Sequence, residues 1–365
     1  MTLSLYIARR FAMTVGQVFL VFFGILMLID MIEQLRKFSG KGAGLGDAFH
    51  LSILNVPETL YRILPLIFVM GSIAMFLSLA RSSELVVVRA AGRSGLRFLA
   101  TPVVVATLIG LMAVAVLNPM VAATSRAYDD LSARYAADGS SVLSVSDAGL
   151  WLRQGGSYGQ TVIQAGRANF DGTELTRVTF LTFGEQGLPV TRIETTSAKL
   201  VKGAWILSGA RVWNLNADNP ELSVKSWPDG TRLPTDLTPE RIRDSFGTPS
   251  AVPVWQLPNY IKDLEQAGFS ARAYRLWFQM ELAQPLLLTA MVLVAAGFTM
   301  RHTRAGKTGI RVLYAILAGF ALFFLRNFAQ ALGDSGQIPV SLAAWSPPLA
   351  AVMLALGLLL HLEDG

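Results

Sequence analysis

At 365 residues, with 52% hydrophobic and only 15% charged side chains, the chain is too apolar for an ordinary soluble protein, which carries about 25% charge. The absence of Cys excludes a disulfide framework, a thiolate metal site and a cysteine nucleophile, and three scattered histidines (His50, His302, His361) offer no metal cluster. The net charge of +6 resides mostly on Lys and Arg flanking apolar segments, where such residues orient a membrane protein rather than grip nucleic acid.

A helix crossing a hydrocarbon core about 30 Å thick needs roughly 20 apolar residues. In chain order the runs that qualify are 11–29, 63–80 and 98–125, then 282–300, 312–332 and 335–360. Arg9 and Arg10 ahead of the first run give it the look of a signal peptide, but its length and the lack of a small-residue cleavage site predict an uncleaved helix. Only Arg326 interrupts the fifth run, which a span tolerates when the cation faces protein or water.

Between the third and fourth runs the sequence is polar and β-like. Alternating or β-branched stretches at 160–163, 177–183, 190–195 and 204–207 are separated by turn signals such as Asp171-Gly172 and Lys202-Gly203. Strands at that spacing suggest a sandwich or jelly roll, and 257–267 predicts a short helix leading back to the membrane. The expected fold class is therefore an α-helical integral membrane protein with six transmembrane helices and an inserted all-β periplasmic domain. Residues 1–125 would hold the first three spans, 126–273 the inserted domain and 274–365 the last three.

Lys and Arg collect on the cytoplasmic side of short loops. With the N-terminus inside, ten fall there: Arg9, Arg10, Arg81, Arg89, Arg93, Arg97, Arg301, Arg304, Lys307 and Arg311; the short outer loops hold only Arg36, Lys37 and Lys41. This predicts cytoplasmic termini and an external β domain.

Three local features bear on function. In the 80–94 connector, Ser82 or Ser83 can cap a short helix, Glu84 sits in its first turn where the dipole favours an anion, and Gly92 can end it. That segment is either a topology-setting connector or a helix that inserts into a cytosolic partner. Second, Arg36, Lys37 and Lys41 lie against the orientation bias, with Arg62, Arg126 and Arg326 at similar depth. Such a group suits lipid phosphates, or else it snorkels to ordinary headgroups or pairs with Asp30, Glu33, Asp47 and Glu58. Glu58 and Arg62, four apart, share a helix face and can pair. Third, Arg304-Ala-Gly-Lys-Thr-Gly309 fails as a phosphate-binding loop because Arg301 occupies the position that needs Gly. No nucleophile elbow, zinc motif or catalytic carboxylate pair is present, so the chain reads as a non-enzyme without its own nucleotide site.

Leu28-Ile-Asp-Met-Ile-Glu-Gln-Leu-Arg-Lys37, Ser83-Glu-Leu-Val-Val-Val-Arg-Ala-Ala-Gly92 and Gln284-Pro285-Leu286 resemble the LptF/LptG permeases of the lipopolysaccharide exporter, a resemblance that covers essentially the whole chain. The Asp-x-x-Glu-Gln-Leu form of the first motif points to the LptG branch. The resemblance implies a β-jelly roll in the periplasm, a heterodimer with LptF, two copies of the ATPase LptB, the bitopic protein LptC, and lipopolysaccharide extracted from the inner membrane onto a bridge toward the outer membrane. It implies no cofactor in this chain, ATP and Mg²⁺ being used by the partner ATPase. Glu84, with Leu85, Val88 and Arg89, would meet that ATPase; Arg36, Lys37 and Arg126, joined by Lys41, Arg62 and Arg326, would meet lipid phosphates. Two positions depart from the family pattern: Asp129 stands where a second basic residue is expected after Arg126, and Glu281 replaces the usual Lys before Gln284-Pro285. Alternative classes are a lipoprotein-releasing permease, which normally has four spans per chain, and a membrane enzyme acting on lipid-linked substrates, which would need a convergent catalytic pair. A receptor with an external sensor is expected to continue into a cytoplasmic output domain, whereas this chain stops at Gly365.

Overall fold

Basic residues at the ends of the apolar runs extend the helices instead of ending them, since straight-chain Arg and Lys are good helix formers. In the computed structural model, α1 (Thr2–Phe38) and α2 (Leu45–Arg81) are each 37 residues long, about 55 Å at 1.5 Å per residue. Both outrun the hydrocarbon core, and the predicted run 11–29 is only the apolar middle of α1. All residues are described except 1, 39–43, 83, 85–93, 137–149, 157–158, 170–171, 185–186, 240–241, 243–247, 267–269, 301–307 and 364–365.

The third span begins at α3 (Gly95–Met112), whose N-cap Ser94 accepts from the Arg97 amide, passes through a π-wound turn (Ala113–Leu117) and continues as α4 (Asn118–Ala136). It therefore runs past Arg126, where the inserted domain was expected to start. The short helix α5 (Leu257–Gln266) matches the one predicted over 257–267. The last three spans are α6 (Arg272–Thr299), α7 (Thr308–Asp334) and α8 (Val340–Glu363). Among the described residues there are thus six membrane-length helices, with an antiparallel sheet inserted in the chain between the third and the fourth.

The described residues form two compact units. One comprises Met1–Ala133, Pro249–Pro258 and Arg272–Gly365; the other comprises Arg134–Thr248 and Asn259–Ala271. In the helical unit α6 is the hub: 78% of its apolar window is buried, against 6% for the first span, and it packs on α2, α3, α7 and α8. Lipid gives spans no hydrophobic reason to associate, so close backbone approach at small residues supplies the contact. At Gly110 of α3, a Cβ would come within 2.6 Å of the Pro285 Cα on α6. Because that neighbour is backbone and cannot swing aside, Gly110→Val is expected to cost about 1–3 kcal/mol or more through overpacking. The check is the thermal midpoint of the detergent-purified protein; an unshifted midpoint refutes the account.

The second unit holds eight strands: β1 (Leu150–Gly156), β2 (Gly159–Ala168), β3 (Glu174–Phe183), β4 (Pro189–Val201), β5 (Ala204–Ser208), β6 (Arg211–Asn214), β7 (Lys225–Ser226) and β8 (Thr231–Pro234). They pair antiparallel in the order β1-β2-β3-β4-β5-β8, with β6 beside β4 and β7 beside β6. All four predicted strands fall within β2 to β5, and the predicted Lys202-Gly203 turn joins β4 to β5 with Gly203 at φ 77°. The long β4 changes partner midway. Thr191–Glu194 pair with β6 and Ser197–Val201 with β5. At the same level Arg177 of β3 takes φ 55°, and the inward set shifts parity, from Leu175 to Val178 and Phe180 on β3 and from Ile193 and Thr195 to Ala198 and Leu200 on β4. The register is the same on both sides, Thr176 facing Ser197 and Val178 facing Thr195, so the two strands turn over together. The inner face packs Trp205, Phe180, Ile163, Leu175, Leu207 and Ile242 into a single core.

Candidate functional site

Polar residues are costly inside a membrane bundle, so those present are expected to find partners between spans. Asp30, Gln34 and Lys37 recur at i, i+4 and i+7 on one face of α1. Asp30 accepts from the Asn55 side chain of α2 at 2.7 Å, and buried Gln34 exchanges hydrogen bonds with the Tyr128 hydroxyl of α4 at 3.1 and 3.3 Å. Lys37 Nζ lies 3.4 Å from that hydroxyl and 5.8 Å from the ring centroid. The lysine's reach is therefore set by an aromatic platform on another span, with Asp129 in electrostatic range.

Farther along α2, Glu58 accepts from Arg62 at 3.1 Å, from Ser125 of α4 at 3.0 Å and from Ser250 at 3.2 Å. The i,i+4 pairing expected of Glu58 and Arg62 is present, yet Arg62 stays 68% exposed. Arg126 uses its Nε on the Ala122 carbonyl at 3.2 Å and is otherwise exposed. Arg36 is exposed and makes no hydrogen bond or ion pair among the described residues. Arg36 and Lys37 thus stand as exposed cations where α1 ends, with Arg126 exposed on α4 and Arg62 exposed farther along α2. Lys41 lies outside the described residues.

Arg326 differs from the other cations. It is buried in α7, with Glu281 of α6 and Tyr61 and Arg62 of α2 as electrostatic neighbours. Glu281 is itself 1% exposed and accepts a hydrogen bond from the Tyr61 hydroxyl, with Asn118 beside the pair. Asn118 also accepts from the Val254 amide at 2.8 Å. Sequence reasoning passed over Gln34, Asn55, Tyr61, Asn118 and Tyr128. The available signal was a set of polar side chains inside otherwise apolar runs.

At the opposite end of α1 lies a second polar cluster. Ser82 closes α2, its amide bonding the Ser78 carbonyl. Its Oγ donates to Glu84 at 2.8 Å. The Glu84 carboxylate also receives Arg10 Nη1 at 2.6 and 2.8 Å and the Tyr6 hydroxyl at 3.0 Å, while Arg10 Nη2 donates to Ser78 Oγ at 2.8 Å. Partial burial pushes the Glu84 carboxyl up, but the hydrogen bonds from Ser82, Arg10 and Tyr6 together outweigh it and hold the group below the usual carboxylate range, hence ionised at neutral pH. Glu84 is helical, as expected, and its carboxylate is tied back to α1; Ser83 and Gly92, the other cap and the end of the expected helix, lie outside the described residues. Leu85, Val88 and Arg89 lie outside the described residues.

Residues 5–361 match the family model for the lipopolysaccharide export system permease LptF/LptG. The chain is 25% identical to the lipopolysaccharide export system permease protein LptG of Escherichia coli K12, over 98% of both chains. It is also 25% identical to the protein of the same name from Haemophilus influenzae, over 100% of this chain and 99% of that one.

Proposed function

Because the chain belongs to the family of lipopolysaccharide export system permeases LptF/LptG, we propose that it is the LptG-type subunit of an ATP-binding-cassette exporter. In this reading it draws lipopolysaccharide from the inner membrane and passes it to a periplasmic bridge toward the outer membrane. One observation carries the reading: the family match runs from the first span through the β insertion to the end of the sixth. Six spans also argue against the four-span lipoprotein-releasing type.

The chain is a multi-pass protein of the inner membrane. The ten-to-three Lys/Arg bias supports cytoplasmic termini and a periplasmic β unit. Its partners are LptF, LptB and LptC. ATP and Mg²⁺ serve LptB, this chain contributing no cofactor, and the segment of Glu84, Leu85, Val88 and Arg89 meets that ATPase. Arg36, Lys37, Lys41, Arg62 and Arg126 present cations to the lipid phosphates, Arg as a planar fork and Lys as a point charge. Arg326 is the weakest member of the set, since Glu281 offsets its charge.

The test is Lys37→Glu in the complex reconstituted with its partners. Reversal puts an anion on the Tyr128 platform, where Coulomb terms exceed their bulk-water size. Photocrosslinking of lipopolysaccharide to this end of α1 is expected to fall on the order of tenfold, the equivalent of about 1.4 kcal/mol, with assembly intact. Unchanged crosslinking when Arg36, Lys37, Lys41 and Arg126 are all replaced by Ala would reduce these residues to headgroup anchors.

A further inference from the structure

Three observations meet on α1. First, it is an unbroken rod. No proline falls within Thr2–Phe38, whereas α2 contains Pro57 and Pro65, α3 Pro102, α6 Pro285, and α8 Pro347 and Pro348. Arg10 and Lys37 lie on this one rod, about 40 Å apart at 1.5 Å per residue.

Second, the rod is held most deeply near its ends, with half-buried side chains such as Phe19, Phe22 and Leu26 packed on the core between them. Its buried side chains are Ile7, Phe11 and Val15 near one end and Gln34 and Phe38 at the other. Phe11 meets Phe68 of α2 edge-on at 6.2 Å, and Val15 sits against Gly71, where an added Cβ would approach to 2.9 Å. The middle of the first span is the least buried of the six apolar windows.

Third, the grip at the Arg10 end includes the first residues after α2. Arg10 holds both Glu84 oxygens and the Ser78 hydroxyl, and Tyr6, one turn earlier, holds Glu84 as well. Charge-assisted hydrogen bonds of this geometry are short and directional, so displacing Glu84 pulls on α1 as well as on α2. A carboxylate needed only by an external partner would have no use for an arginine and a tyrosine of the first span.

We propose that Arg10 is a positioning residue for energy coupling: by clamping Glu84 against α1, it turns displacement of Glu84 into movement of α1 and of the Lys37 end that the rod carries. Tyr6 and Ser82 orient the carboxylate for Arg10. The clamp supplies the contiguous physical link that coupling between distant sites requires. It rests on the permease reading above, with the connector as the place where a partner ATPase delivers work.

The test uses the full complex in vesicles, with lipid transferred per ATP hydrolysed as the readout and co-purified ATPase as the control. Arg10→Gln keeps a donor but loses the charge, and is expected to lower coupling severalfold while ATPase association and hydrolysis persist. Arg10→Glu and Glu84→Arg each place like charges together and are expected to be worse. The exchange Arg10→Glu with Glu84→Arg leaves the net charge at this end unchanged and is expected to recover at least half of the wild-type coupling, which a merely structural role for either residue would not produce. Wild-type coupling in Arg10→Gln, or an exchange no better than the worse single variant, overturns the clamp. A wild-type complex that transfers no lipid sinks the permease reading, and the clamp with it.

Discussion

Glu281→Leu is expected to destabilise the helical unit by about 3–5 kcal/mol, the cost of stranding a buried charge. Glu281 and Arg326 are 1% and 9% exposed, on adjacent spans, and each is the other's main opposite charge. Removing the carboxylate also leaves the Tyr61 hydroxyl without its acceptor. Arg326→Leu is expected to cost a similar amount. The double substitution should cost far less than the two singles combined, because removing both charges leaves neither uncompensated. Unfolding of the purified protein in mixed micelles, read across the four variants, checks this; additive losses would show that the two residues do not sense one another. A lysine at position 281 would set a second cation near Arg326 in a low-dielectric interior, whereas Glu281 supplies the opposite charge.

In the β unit the largest effect is expected of Trp205→Ala. Trp205 is fully buried on β5 and meets Phe180 of β3 edge-to-face at 6.2 Å, so truncation removes the largest side chain of the core and opens a cavity that the paired strands cannot collapse. Such a change costs about 3–5 kcal/mol. Hydrogen exchange is expected to accelerate across β3, β4 and β5 while the spans keep their protection. Protection of β4 equal to wild type would place the stability of the sheet elsewhere.

The spans, the four central strands, the 257–267 helix and the Glu58–Arg62 pair were all legible in the sequence, because each depends on neighbours within about 20 residues. Hydropathy over a window reports whether a segment can enter lipid, alternation reports a half-buried strand, and an i,i+4 spacing brings two side chains together on any helix. The strands β1, β6, β7 and β8 escaped, since their existence depends on the ladder partner rather than on their own pattern. The parity shift at Arg177 escaped for the same reason: its consequence is written across β3 and β4 together.

At the candidate site the division follows the same line. The sequence by itself determined which residues could carry charge at which end of the bundle, because the positions of Arg10, Arg36, Lys37, Glu84 and Arg126 relative to the apolar runs are a matter of counting. Only the tertiary structure decided what each charge faces. Tyr61 and Glu281 are 220 positions apart and Arg10 and Glu84 are 74 apart; whether they meet depends on which helix faces pack. In lipid that packing is chosen by close approach at residues such as Gly71 and Gly110 and by polar partners between spans, not by hydrophobicity. A pattern that reports only hydrophobicity therefore counts the spans and leaves their pairing, and with it the engagement of Glu84 and the burial of Arg326, to the folded bundle.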